Sequence, residues 1–435
     1  MPIAAAQDGA MTASRPAGPL GSRIPPWLLG SGVIAVAMAV MNLATYGFTI
    51  LAARLLGPEH YGALAALMGL LLVLTVVSLG LQATAARRVS ADPEHTPGIE
   101  RSTLAASYGC ALALGLLCLV ASPLVERALR LDSWFTAALL AVTVVPITVM
   151  GGQAGILQGE RRWLPLALIY LMSGLGRIAC GAVALLWRPD ALGAMVGVAV
   201  GAFFPTVVGW FALRHPARTA GRPVEVRRTV ETAPGGRFLH EMVHNSHALL
   251  AFFALSSADV VLARTFLGDR QAGLYAGGLI LAKAVLFLPQ FVVVVAFPSM
   301  AEAGARKAMH LRSLGLVLAI GALAVVGTAL FSGLAVVFIG GPEYAALQSQ
   351  LWAFAILGTL LAMLQLMVYN VVARQDQRSV YLVWAALLVL LCTVPFVGSV
   401  TTLVTVVASV DGVLLVILLL LSLRRRPSPP VSPAP

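Results

Sequence analysis

The chain has 435 residues, of which 59% are hydrophobic and only 11% charged, against roughly 45–50% and 25% in soluble globular domains. Most of it cannot face water, so a soluble enzyme is excluded. The formal net charge of +11 does not imply a nucleic-acid partner either, because no soluble basic domain is long enough to provide the binding face.

Residues 1–27 are rich in Ala, Gly and Pro and read as a disordered cytoplasmic N-terminus. Twelve apolar runs follow, at about 28–53, 61–86, 103–122, 134–157, 164–187, 191–212, 241–266, 272–298, 313–339, 346–372, 379–397 and 401–423. Each is near or above the ~20 residues that cross a hydrocarbon core. The first is too long for the ~7–15-residue apolar centre of a secretory signal, so it is expected to stay in the membrane. Cys110, Cys118, Cys180 and Cys392 all fall inside these runs and are expected to be small buried side chains.

Between the first two runs the chain reads "ARLLGPEHYG" (53–62). Gly57 suits the end of one helix and Pro58 the first position of the next, so the stretch is expected to be a hairpin corner, with Tyr61 at interface depth. "ARTFLGDRQAGLYA" (263–276) repeats it: the Leu-Gly pair, Gly62 and Ala65 recur 211 positions later as Leu267-Gly268, Gly273 and Ala276, and Arg54 matches Arg264 with a one-residue gap. A third echo, "GPEY", lies at 341–344. The repeat aligns the first hairpin of runs 1–6 with the first of runs 7–12 in the same orientation. The expected fold class is therefore all-α, a polytopic membrane protein with about 12 transmembrane helices in two six-helix bundles related by a parallel repeat.

The expected domains are a first bundle at 28–212, a basic cytoplasmic linker at 213–240, a second bundle at 241–423 and a proline-rich disordered tail at 424–435. With the N-terminus inside, 21 Lys and Arg residues lie on the cytoplasmic side and six on the other, with Arg177 and Lys283 inside spans. Short basic loops stay cytoplasmic, so both termini are expected there, in a multi-pass bacterial cytoplasmic membrane whose anionic lipids attract the basic face.

Charges within spans mark function by default. Arg177 sits mid-span in the fifth run, inside "SGLGRIACG", and Lys283 midway along the eighth. One belongs to each half, so the two could converge at the repeat interface. Asp259 lies close to the depth of Lys283, and the two could simply pair; Asp411 in the last run has no evident partner. Asn42, Thr45, Tyr46, Gln82, Gln153, Gln290, Gln365 and Asn370 are polar residues within spans that could line a cavity or hydrogen-bond between helices. The site residues expected to contact substrate are Arg177, Lys283, Asp259, Asn42, Gln82 and Asn370.

"HEMVH" at 240–244 matches the pattern in which His240 and His244 would hold zinc beside a general base, with Asp411 as a possible third ligand. It falls at the cytoplasmic edge, where such residues need no special reason, and the expectation is no metal, no cofactor and no enzyme. No Walker motif or other phosphate-binding loop occurs, so gradients rather than ATP are expected to supply the energy.

The 53–90 stretch "ARLLGPEHYGALAALMGLLLVLTVVSLGLQATAARRVS", the "ADVVLAR" of the seventh run and "GPEY" at the head of the tenth resemble the polysaccharide flippases of the multidrug, oligosaccharidyl-lipid and polysaccharide exporter superfamily, over about 28–423. The resemblance implies movement of a polyprenyl-pyrophosphate-linked oligosaccharide to the outer leaflet. Its implied partners are that lipid-linked glycan, membrane lipids, and the glycosyltransferases and polymerase of a cell-surface polysaccharide. The runner-up is a cation-coupled drug efflux antiporter of the same superfamily, which would want membrane carboxylates for H⁺ or Na⁺ exchange; only Asp259 and Asp411 qualify.

Overall fold

A computed structural model describes the backbone of residues 26–214, 235–296, 306–373 and 377–424, and side chains within 32–214, 246–286, 312–368 and 379–423. The expected disordered ends, the centre of the basic linker and the side chains of His240, His244, Gln290 and Asn370 lie outside the described residues. Everything described is helix or connecting turn, with no strand.

Helix α1 (Pro26–Ala91) runs for 66 residues and breaks only at Gly57, whose φ of 62° and ψ of 173° leave the helix. At 1.5 Å per residue it is about 100 Å long, more than twice the ~40–45 Å of a whole bilayer, so it makes two crossings. The break is the expected corner: a left-handed glycine followed by a proline at the first helical position. Tyr61 is 4% exposed, so it packs into protein and does not face headgroups. The first half continues with α2 (Thr96–Leu129), α3 (Trp134–Gly159), α4 (Trp163–Trp187) and α5 (Ala191–Arg214).

The second half holds α6 (Gly235–Phe266), α7 (Asp269–Ala296), α8 (Arg306–Leu330), a short α9 (Ser332–Ile339), a 3₁₀ stretch Pro342–Gln350, α10 (Leu351–Ala373), α11 (Gln377–Thr393) and α12 (Val400–Arg424). Among the described residues ten segments are long and apolar enough to cross a membrane. Counting α1 twice and adding α7 accounts for twelve crossings. One expected run is corrected: 313–339 is not a single span, because α8 ends at Leu330 and α9 restarts at Ser332. A second Gly-Pro corner follows, with Gly341 at φ 95°.

The burial pattern is inverted relative to a soluble helix. On α2 the buried stripe is Thr103, Ser107, Ala111, Gly115, Cys118 and Ser122, while Leu112, Leu116, Val120 and Leu124 are exposed. Lipid tails are as apolar as leucine, so large side chains gain nothing by turning inward, and small ones let backbones approach closely. Of the four cysteines only Cys118 is buried, and Cys392 is exposed; in lipid an apolar span has no reason to hide a thiol. Gly151, Gly155 and Gly159 of α3, four residues apart, face Ser78, Gln82 and Val89 of α1, and a β-carbon at any of the three would overlap its neighbour.

In the first half α1 packs on α2, α3 and α4, and α4 on α5; in the second, α10 packs on α7, α8 and α12, and α11 on α6. The halves meet along a seam where α1 lies against α6 and α7. At that seam Gly62 faces Gly273 directly. These are the repeat mates 211 positions apart, and a residue that meets its own mate lies on the twofold axis relating the halves. The turns at Gly57, Arg130, Gly268 and Gly341 share one end of the molecule, here the Gly57 end; the opposite end carries the basic turns.

Candidate functional site

Four side chains of the second half form a buried polar cluster. Asp259 on α6 is 2% exposed and accepts a 2.9 Å hydrogen bond from the Tyr275 hydroxyl on α7 and a 2.7 Å bond from the Val260 amide. Lys283 on α7 is half-buried and feels the Asp259 charge, but no ion pair joins them: tyrosine, not lysine, took the carboxylate. Asp411 on α12, 2% exposed, lies near enough to Asp259 and Tyr275 to act on both electrostatically. Lys283 thus feels one of the two carboxylates, Asp259, and Asp411 acts on Asp259 and Tyr275.

Arg177 belongs to α4, where Gly174 packs on Met41, Ile178 touches Gly47 at 3.3 Å and Gly181 packs on Phe48. Helical spacing puts Arg177 in that stripe, facing α1. It has no hydrogen bond or ion pair to another described residue. Its depth follows from register: three residues from Gly174 toward the Gly57 end, about 4.5 Å above Met41.

Lys283 is placed the same way. The Tyr46 hydroxyl donates to the Ile280 carbonyl at 2.6 Å across the seam, and Lys283 lies one turn from Ile280 toward the basic end. Counted along their helices, the two cations therefore lie within about one turn of each other in depth, one in each half. Asn42, one turn from Tyr46 on the same face of α1, lies at that level too and is half-buried.

Gln82 stands apart. Its amide donates to Gln158 Oε1 at 2.9 Å and to the Tyr170 hydroxyl at 2.7 Å, so it ties α1 to α3 and α4 inside the first half. Asn370 falls on α10 and His240 and His244 on the first turns of α6, with their side chains outside the described residues. Among the described residues no group of His, Cys, Asp and Glu could hold a metal ion.

Two cations without a carboxylate bonded to them can meet a strongly anionic group. Arginine offers a planar fork suited to two phosphate oxygens, and lysine a compact charge. In hydrocarbon each unshielded charge costs several kcal/mol, so an anion crossing here needs such groups at mid-depth.

A family profile described as polysaccharide biosynthesis protein matches residues 28–304. The chain belongs to the polysaccharide biosynthesis protein family. The fold is one shared by solved membrane transporters. No curated protein sequence matches it. Among solved structures, one resembling this family member is a multidrug resistance MATE-family transporter of the exporter superfamily in an inward-facing conformation, with 12% identity, 90% of this chain and 97% of that chain covered, and a TM-score of 0.66. A MATE-family transporter in an outward-facing conformation gives 14%, 90%, 94% and 0.56. A superfamily transporter from Pyrococcus furiosus, reported with a binding pocket of reversed polarity, gives 14%, 90%, 93% and 0.53. At these identities the likeness shows the fold alone.

Sequence reasoning missed Tyr275 and Arg130. Tyr275 mirrors Asp259 across the turn at Gly268, a signal that was present. Arg130 reaches backbone carbonyls, which carry no sequence mark.

Proposed function

We propose that this transporter is a flippase that carries a polyprenyl-pyrophosphate-linked oligosaccharide from the cytoplasmic to the outer leaflet of a bacterial cytoplasmic membrane. The observation that supports the reading is the register of Arg177 and Lys283, one per half and within about one turn in depth, in a chain of the polysaccharide biosynthesis family. A pyrophosphate brings about two negative charges; Arg177, with no carboxylate beside it, and Lys283, bonded to none, are the cations that can meet it. Moving those charges outward, down a potential negative inside, is favourable by about 2 × 2.3 kcal/mol per 100 mV, so no obligatory coupling ion is required. Residues 28–212 and 241–423 act as the two rocking bundles, joined by the basic segment between them. Glycosyltransferases supply the lipid-linked glycan and a polymerase consumes it.

The Gly57 end is the outer end by the charge bias. It is closed: Tyr46 bonds Ile280, Tyr344 donates to the Ala53 carbonyl at 3.2 Å, and Gly62 abuts Gly273. The better overlay with an inward-facing relative, 0.66 against 0.56, supports a state that loads from the cytoplasm. For topology, a reporter fused after Pro216 is expected inside and one at Asp269 outside; finding both on one side refutes this orientation.

The functional test uses purified protein in liposomes with a fluorescent polyprenyl-pyrophosphate oligosaccharide. Arg177→Gln is expected to cut flipping at least tenfold at unchanged abundance, by removing a charge that bonds no other described side chain. Transport of a cationic dye with no glycolipid flipping, unaffected by Arg177→Gln, would establish drug efflux instead.

A further inference from the structure

We propose that Arg54 and Arg264, the arginines at matching positions of the two repeats, are paired bolts of the outer gate, each fastening its own half to the end of a helix in the other. Arg54 lies at the end of the first crossing, and its Nη2 donates to the Val337 carbonyl of α9 at 2.7 Å. Arg264 lies at the end of the seventh crossing; its Nε donates to the Leu129 carbonyl at 2.9 Å and its Nη2 to the Arg130 carbonyl at 3.1 Å. Leu129 ends α2, the third crossing of the first half, and α9 follows α8, the third crossing of the second. The two bolts are therefore exchanged across the axis on which Gly62 meets Gly273.

Carbonyls in the last turn of a helix have no partner within it and carry the negative end of its dipole, so a guanidinium suits them. Arg130 completes the arrangement by donating to the carbonyls of Arg264, at 2.5 Å, and Leu267. Each half thus caps a helix of the other.

The counterion is placed to allow opening. Asp269 Oδ1 lies 2.9 Å from Arg264 Nη1 and 3.1 Å from Arg130 Nη2. Asp269 and Arg264 belong to the same half, so when the halves part Arg264 keeps its carboxylate and exchanges only neutral carbonyls for water. Opening breaks the Arg130–Asp269 pair between the halves but leaves Arg264 its own carboxylate. The bolts differ in burial, since Arg264 is 5% exposed and Arg54 is exposed. Arg264 is the stronger because its bonds are shielded from competing water.

The inference rests on the two-state transporter reading but not on the substrate, so it is tested without one. Spin labels on cysteines replacing Trp187 and Arg270, in full-length protein lacking its four native cysteines and held in lipid nanodiscs, report the distance between the halves at the outer end. Arg264→Lys, which keeps the charge but cannot reach both carbonyls, is expected to move a measurable share of molecules to longer distances. Arg54→Gln should do so less, and the pair together more than either. Arg54→Gln alters an exposed residue and guards against misfolding. If the double variant, shown monodisperse, keeps the wild-type distances, or if melting falls while distances stay fixed, the arginines are helix caps only and the proposal is overturned. If the distances lengthen while glycolipid flipping fails in every protein, wild type included, the gate stands and the substrate reading falls.

Discussion

Gly273→Val is expected to abolish transport while leaving each half folded. A β-carbon at 273 would overlap the Pro58 carbonyl of the opposite half, and that oxygen belongs to backbone held by the Gly57 corner, so it cannot swing away as a side-chain tip would. The halves must separate at the outer end, breaking the bonds of Tyr46, Arg54 and Arg264 across the seam. A closed state raised by about 3 kcal/mol, a moderate overpacking cost, would fall more than a hundredfold in population, and flipping would fall with it. The measurement is liposomal flipping together with labelling, by an impermeant maleimide, of a cysteine at Ala272. Greater labelling with lost flipping is the expected pair; normal flipping would refute the contact.

Lys283→Met should be the most damaging change within the second half. It leaves Asp259, 2% exposed, without the cation whose charge it meets, and breaking a buried charge arrangement costs about 3–5 kcal/mol. The low end applies because Lys283 is half-buried. Asp259→Asn should restore abundance to Lys283→Met by removing the stranded carboxylate, but not restore flipping, since the cation for the pyrophosphate is still missing. Membrane abundance and flipping are measured for the single and double variants. A double variant that is abundant and flips normally would make Lys283 a counterion and nothing more.

The fold was legible because membrane spans declare themselves in composition and because Gly57-Pro58 marks a corner by backbone chemistry alone. The break at Phe331–Ser332 was not: Gly333 stands beside the joint, but glycines are scattered through these spans, and hydropathy measures length in oil, not continuity of helix. Depth was legible for the site and rotation was not. Counting residues from the turn at Gly268 set Asp259 and Lys283 near one level, yet which side chain faces Asp259 depends on how α6 and α7 turn toward each other, and Tyr275 faces it. The recurrence of Arg54 and Arg264 was visible without its meaning, because their acceptors are main-chain oxygens that every residue possesses.

The glycine pair on the axis has a consequence for how such a chain can arise and change. In a duplicated sequence most ancestral positions become two independent ones, free to drift apart once each half has its own neighbours. Position 62 and its copy at 273 do not gain that freedom, because each packs on main chain of the opposite half, at Gly273 and at Pro58. Enlarging position 62 meets the Gly273 backbone and enlarging position 273 meets the Pro58 carbonyl, so either copy can grow only if main chain of the opposite half moves.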